Sequence, residues 1–340
     1  MRAVSEASEM DSALEIRREN ARFDILVLNF ERVQLFFDNF HKLKHYDPAR
    51  DRIVVFDCSR DAARERALTE AFAASHGWVV GGPHIVFVRR ENWGIDQGAR
   101  VDYLSHLLRS SARPRFVWEF QEHYLDNTSD YSRWSSGALV GQTKEDTIPD
   151  GVELDLDQCE RAFEDSSVSV VYANRGGVGI FPHSDGRQWF FADGANLGFR
   201  TSAALAAFNQ ELLDSYRLVF DASYRWCLYI EFEFGRRLGN GAWFDCVTGR
   251  TWQSVAELRA SEPAVEQRVA DFTSRNHQPA FDRYEGRVER VSRMPTALRR
   301  TLLAAVFPAL GVIQREVVGR IRTVMLANHL SPPRWLRHVW

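Results

Sequence analysis

Polar residues collect behind four short apolar runs. Ile25-Leu26-Val27-Leu28 is followed by Asn29-Phe30-Glu31-Arg32, and Ile53-Val54-Val55-Phe56 by Asp57-Cys58-Ser59-Arg60-Asp61. Ile85-Val86-Phe87-Val88 leads into Arg89-Arg90-Glu91-Asn92-Trp93-Gly94, and Phe116-Val117-Trp118 into Glu119-Phe120-Gln121-Glu122-His123. Carboxylates are acceptor-only when ionised, amides both donate and accept, and arginine suits phosphate. A nucleotide or nucleotide-sugar site needs such a mixture. Further on, Glu231 and Glu233 precede Arg236-Arg237-Leu238. Two carboxylates at this spacing share one face of a strand but not of a helix.

The elements that must carry these residues are legible from periodicity. Each apolar run is continuous, as expected of a strand buried on both faces of a parallel sheet. Helical patterns lie between the runs. Leu35, Phe36, Phe37 and Phe40 mark the first. Ala67, Leu68, Ala71 and Phe72 form the stripe of the second, for which Ser59 is a candidate cap. Val101, Leu104, Leu107 and Leu108 mark the third. Strand–helix alternation predicts a parallel three-layer α/β sheet, with ligands outside the carboxyl ends of its strands.

The middle is less regular. Residues 127–165 read as loop-rich, with Val168–Tyr172, Gly176–Phe181 and Trp189–Phe191 extended. Leu205, Phe208, Leu212 and Tyr216 at 3,4,4 spacing predict one helix. From about Ser254 the chain reads as helical and rich in arginine.

Composition bounds the class. The 340 residues suffice for one large domain and an appendage. The division expected is a polar lead over 1–22, with the ordered chain starting near Phe23, a catalytic domain over 23–250 and a helical extension over 251–340. The formal net charge of −3 excludes a basic nucleic-acid coat, so no nucleic-acid partner is expected. It conceals an asymmetry: residues 281–340 hold 11 arginines against 4 acids. The 4 cysteines form no C-x-x-C pair, which argues against zinc ribbons and thioredoxin-like chemistry. With no signal-like lead and no run of apolar residues long enough to span a bilayer, a cytoplasmic protein is expected. A dinucleotide fingerprint, a Walker A loop, a G-x-S-x-G elbow and an H-E-x-x-H pair are all missing.

The order of features over residues 23–240 resembles the GT-A glycosyltransferases, above all the family-2-like inverting enzymes that use nucleoside-diphosphate sugars. The resemblance implies a Rossmann-like, mixed but mostly parallel sheet flanked by helices, here with a C-terminal helical extension. It implies donor-binding roles for Asn29 and for Asp57, whose carboxylate would accept from the nucleotide base. Glu91 to Arg100 looks like the family's Asn-x-Gly…Ala-Arg segment, so Asn92, Gly94 and Arg100 would lie at the diphosphate. Gln121-Glu122-His123 takes the place of the D-x-D motif, or Glu119-x-Gln121 in a second alignment. Glu122 and His123 would then hold Mn²⁺ or Mg²⁺, with Gln121 at the donor. Gln is a weak ligand and His suits Mn²⁺ better than Mg²⁺. Phe191 to Arg200 resembles the turn that shapes the donor-sugar and acceptor pocket, through Asp193 and Asn196. An acidic residue ahead of a helix ending in Arg-Leu is the family's general base; Glu231 fits the spacing best and Glu233 is its rival.

The partners implied are a nucleoside-diphosphate sugar and a hydroxyl-bearing acceptor: a glycan, a lipid-linked sugar or a small molecule. Arg299, Arg300, the apolar Leu302–Ile313 stretch, Arg315, Arg320 and Arg322 form a basic amphipathic pattern. It suits either docking at the inner face of a membrane, or packing on the catalytic domain or on a second copy in a homodimer. A nucleotidyltransferase of similar sheet topology and a non-catalytic sugar-binding protein derived from this fold are the alternatives.

Overall fold

A computed structural model describes residues 12–15, 21–90, 95–121, 153–173, 179–182, 186, 188–191, 196–220, 224–238, 241–245, 250–261 and 277–313. The central sheet has eight strands: β1 (Phe23–Asn29), β3 (Arg52–Asp57), β4 (Ile85–Arg89), β5 (Phe116–Gln121), β7 (Val170–Ala173), β10 (Asn196–Arg200), β11 (Ala242–Asp245) and β12 (Arg250–Trp252). Their order is β12-β11-β7-β10-β5-β1-β3-β4. β4, β3, β1 and β5 are parallel neighbours, as are β7 and β11. β10 runs antiparallel to β5 and β7, and β12 to β11. The sheet is therefore mixed and mostly parallel. β2 (Leu43–Lys44) pairs with β6 (Leu154–Asp155), and β8 (Gly179–Pro182) with β9 (Gln188–Phe191), outside it.

Alternating side chains of the strands feed two cores. Ile25, Val27, Ile53, Val55, Trp118 and Phe120 pack with helices α1 (Val33–Asp38), α2 (Ala62–Ser75) and α4 (Leu156–Ala162). Leu26, Leu28, Val54, Phe56 and Val117 pack on the other face with α3 (Ile95–Arg109), α5 (Thr201–Ala207), α6 (Gln210–Leu218) and α7 (Tyr224–Leu238). The four predicted strands and the helices between them are thus present, because each strand is covered on both sides. After β12 come α8 (Val255–Ser261), α9 (His277–Ser292) and α10 (Thr296–Ile313). The last two pack on α6. No helix among the described residues is long and apolar enough to cross a membrane.

Four expectations are corrected. Asp61, not Ser59, caps α2, its carboxylate accepting from Arg64 N at 3.0 Å. That helix buries Glu65, Thr69 and Ala73, with Leu68 and Phe72 half-buried; Ala67 and Ala71 are exposed. The 3,4,4 pattern spans two helices, because Phe208 is extended and Asn209 starts α6 afresh as its cap. The packed chain also begins before Phe23. Leu14 is buried and its carbonyl accepts from Arg52 Nη1 at 3.0 Å, while buried Arg22 holds Asp51 at 2.6 Å.

Gly198 of β10 stands opposite Trp118 of β5, and the indole fills the space a side chain would need. Gly198→Ala should cost about 1–3 kcal/mol through overpacking. Denaturant unfolding checks this; a midpoint unchanged from the parent would contradict the close approach.

Candidate functional site

Connections from β1 run outward through β3 to β4, and the chain then returns to β5 on the other side of β1. The carboxyl ends of β1 and β5 therefore flank the topological switch point, where open α/β sheets bind ligands. At this crest Asn29 Nδ2 donates to Asp57 Oδ1 at 2.8 Å and lies 3.1 Å from both Ser59 Oγ and Glu65 Oε2. Ser59 donates from Oγ to Asp57 Oδ1 at 2.5 Å and accepts from Glu31 N at 2.7 Å. That bond helps hold Glu31 in the left-handed region, at φ 69°, an uncommon conformation for a non-glycine residue. Glu65 Oε2 also accepts from Val33 N at 2.9 Å, which ties α1 to α2.

Asp57 is fully buried. Its Oδ2 accepts from Arg89 Nη1 at 2.7 Å, and Arg89 is 47% exposed. The cluster thus turns a cation outward and keeps its carboxylates inside, an arrangement suited to an anionic ligand. Asn29 and Asp57 are brought together as the sequence placed them. Ser59 and Arg89 stood among the polar residues behind the strands without an assigned role, and Glu65 was not foreseen; the signal for Arg89 was its place as the first charged residue behind an apolar run.

On the opposite face of the sheet lies a second cluster. Arg100 of α3 donates from Nε to Glu119 Oε2 at 2.7 Å and from Nη1 to Glu231 Oε2 at 2.9 Å. Arg100 is 1% exposed and Glu231 2%. The guanidinium also lies 4.6 Å from the ring centroid of Phe234. Burial works to lower the pKa of Arg100, but the charges of Glu119 and Glu231 outweigh it and raise the pKa, so the cation persists. Tyr172 of β7 has a buried hydroxyl that meets Gly235, one turn beyond Glu231. Burial foremost, then the charge of Glu231, raises its pKa, and the phenol stays neutral.

Arg100 is therefore turned away from the diphosphate role expected for it, since both of its partners are carboxylates inside the protein. Glu231 lies within helix α7, not ahead of it. Glu233 points to a different set: it accepts from Arg237 Nε at 2.6 Å, Arg236 Nη2 at 2.7 Å and Tyr216 Oη at 3.1 Å. Among the described residues the two acids bond different side chains, in keeping with their spacing on a helix.

Gln121 is the last residue of β5, paired with Leu28, and Asn196 is the first of β10, paired with Phe120. Asn92, Gly94, Glu122, His123 and Asp193 lie outside the described residues. Among the described residues no group of three His, Cys, Asp or Glu side chains could hold a metal ion. An open groove of about 400 Å³, lined by Gln158, Arg161, Phe244, Thr251 and Gln253 among others, lies at the β11–β12 edge, far along the sheet from the crest.

No family model and no curated protein matches the chain. Among solved structures, S. aureus TarS is similar at 10% identity and a TM-score of 0.34, over 64% of this chain and 34% of that one. The chain thus spans about a third of the length of that structure. TarS residues 1–349 in complex with UDP give 10% identity and a TM-score of 0.32, over 62% of this chain and 55% of that one. The mannosyltransferase PcManGT from Pyrobaculum calidifontis, in complex with GDP-Man and Mn²⁺, gives 12% and 0.32, over 91% and 85%. Likenesses this distant assign no family.

Replacing Arg100 by Met would leave Glu119 and Glu231 buried without their shared cation. The expected cost is about 3–5 kcal/mol. Urea unfolding of Arg100→Met measures it; a loss no larger than that of an exposed Arg→Met control would show the triad to be incidental.

Proposed function

We propose that this protein is a glycosyltransferase that moves a sugar from a nucleoside-diphosphate sugar to an acceptor hydroxyl, with inversion. The observation that supports this reading best is the cluster at the carboxyl ends of β1, β3 and β4, where exposed Arg89 stands in front of buried Asp57.

In this reading Asn29 and Asp57, with Arg89 in front of them, receive the nucleotide. Asn92 and Gly94, which precede α3 in the sequence, flank the diphosphate. Asp193 and Asn196 shape the sugar and acceptor pocket. Glu231 is the general base. Its carboxylate takes the acceptor hydroxyl proton while that oxygen attacks the anomeric carbon. The bond from that carbon to the donor phosphate breaks, and the nucleoside diphosphate leaves with the electron pair. Arg100 fixes Glu231 in place through its 2.9 Å bond. Glu233, tied to Arg236 and Arg237, secures the end of α7. Glu122 and His123, just past the end of β5, are the residues that would hold Mn²⁺ or Mg²⁺. A divalent cation bound by them would supply charge neutralisation for the leaving diphosphate.

Calorimetry with UDP-, GDP- and dTDP-sugars, with and without Mn²⁺, tests the donor site. UDP and GDP-mannose are the natural first probes. One donor class should bind, and Asp57→Asn should weaken it by about tenfold, the scale of one charge-assisted hydrogen bond. If no nucleotide sugar binds the folded protein, the proposal fails.

Glu231→Gln keeps the shape and an acceptor for Arg100 but removes the basic carboxylate. Its kcat should fall by about 10²–10⁴-fold with KM little changed, as for loss of a general base. Full activity in that variant would eliminate Glu231 as the base.

A further inference from the structure

Helices α9 and α10 present a surface that the sugar-transfer reading leaves unused. The inward stripe of α9 is Phe281, Tyr284 and Val288, all buried, with Phe281 against Tyr229 and Phe232 of α7. On its solvent side Arg283, Arg287 and Arg290 are exposed and recur at i, i+4 and i+7, so they stack along one face. The three acids of α9, Asp282, Glu285 and Glu289, fall at other positions than this stripe; Asp282 and Glu289 are exposed, Glu285 pairs with Arg236 at 3.0 Å and Glu289 with Arg293 at 2.5 Å. Arg300 of α10 is exposed as well. None of Arg283, Arg287, Arg290 and Arg300 forms an ion pair among the described residues.

The first turns of α10 add apolar surface. Leu298 is 49% exposed, and Leu302 and Leu303 are half-buried. Arg299 of that helix turns inward, donating to the carbonyls of Ser292 at 2.9 Å and Met294 at 3.2 Å, and pins α10 to the preceding turn. From Arg290 to Arg315 the sequence contains no acidic residue, and Leu302 to Ile313 no charge at all.

We infer that the α9–α10 surface docks on an anionic lipid bilayer. An arginine stripe with no acid at its own positions, beside an exposed leucine on a helix that holds no acid, matches both parts of such a surface, headgroup phosphate and acyl boundary. A two-fold dimer through the same patch would bring one arginine stripe against the other. Nucleic acid would satisfy the arginines but give Leu298 nothing to bury against. The inference stands apart from the chemistry assigned to the crest.

Co-sedimentation of the whole protein tests it. The vesicles are pure phosphatidylcholine and an equimolar mixture of phosphatidylcholine and phosphatidylglycerol. The protein should pellet only with the anionic vesicles and be released by high salt. The triple variant Arg283→Gln, Arg287→Gln, Arg290→Gln should bind them at least about tenfold more weakly. Leu298→Ser should weaken binding without changing its dependence on salt. Nucleotide-sugar binding and thermal unfolding of both variants should match the parent, which separates lost docking from lost folding. Wild-type protein that stays in the supernatant with both vesicles overturns the inference. So does a dimer in solution that Leu298→Ser dissociates, which assigns the surface to a second copy.

Discussion

One buried cation organises the centre of this molecule. Arg100 comes from α3, and its guanidinium joins Glu119 in β5 to Glu231 in α7 while covering the ring of Phe234. Two carboxylates share it, so removing the cation would strand two buried charges at once. Through Glu231 the triad holds α7 to the middle of the sheet. The same helix face then receives β9 at Gly235, where an added side chain would strike the Phe190 carbonyl and the Trp189 ring. The register of α7 and the position of the proposed base are therefore set by one ion triad.

The crest works by a different principle. Asp57 and Glu65 are buried behind polar neighbours, and Arg89 is exposed in front of Asp57. Ser59 ties the turn after β1 to the turn after β3, and Glu65 ties the first turn of α1 to α2. The strand ends are thereby fixed as a set before any ligand arrives. Such prior fixing lowers the entropic cost of binding. The Arg100 triad lies deeper and on the opposite face, where Glu119 pairs with Leu26 in mid-strand.

Much of the framework was legible in the sequence because parallel strands covered on both sides must be continuously apolar. The runs at 25–28, 53–56, 85–88 and 116–118 all became strands. What failed was local or distant chemistry. The stripe through Leu205 and Tyr216 crosses a break that periodicity cannot see, although Asn209, which accepts from Leu212 N at 2.9 Å, was a capping signal. Helix α2 buries Glu65 against the polar crest and packs Leu68 and Phe72 half-buried on the core, while Ala67 and Ala71 face outward, so its apolar residues marked only part of its inner face. The bond between Arg100 and Glu231 joins residues 131 positions apart, and no spacing rule reaches that far. Arg100 could be singled out from sequence, but its partners could not.

The central claim is that a nucleotide sugar sits over the carboxyl ends of β1, β3, β4 and β5. Hydrogen–deuterium exchange of the whole protein, with and without saturating donor and Mn²⁺, tests it most directly. The account predicts slower exchange in the peptides that contain Asn29–Arg32, Asp57–Arg60 and Arg89–Arg90, with the α9–α10 region unchanged. Protection confined to the β11–β12 edge or to the terminal helices, with the crest unaffected, would contradict it.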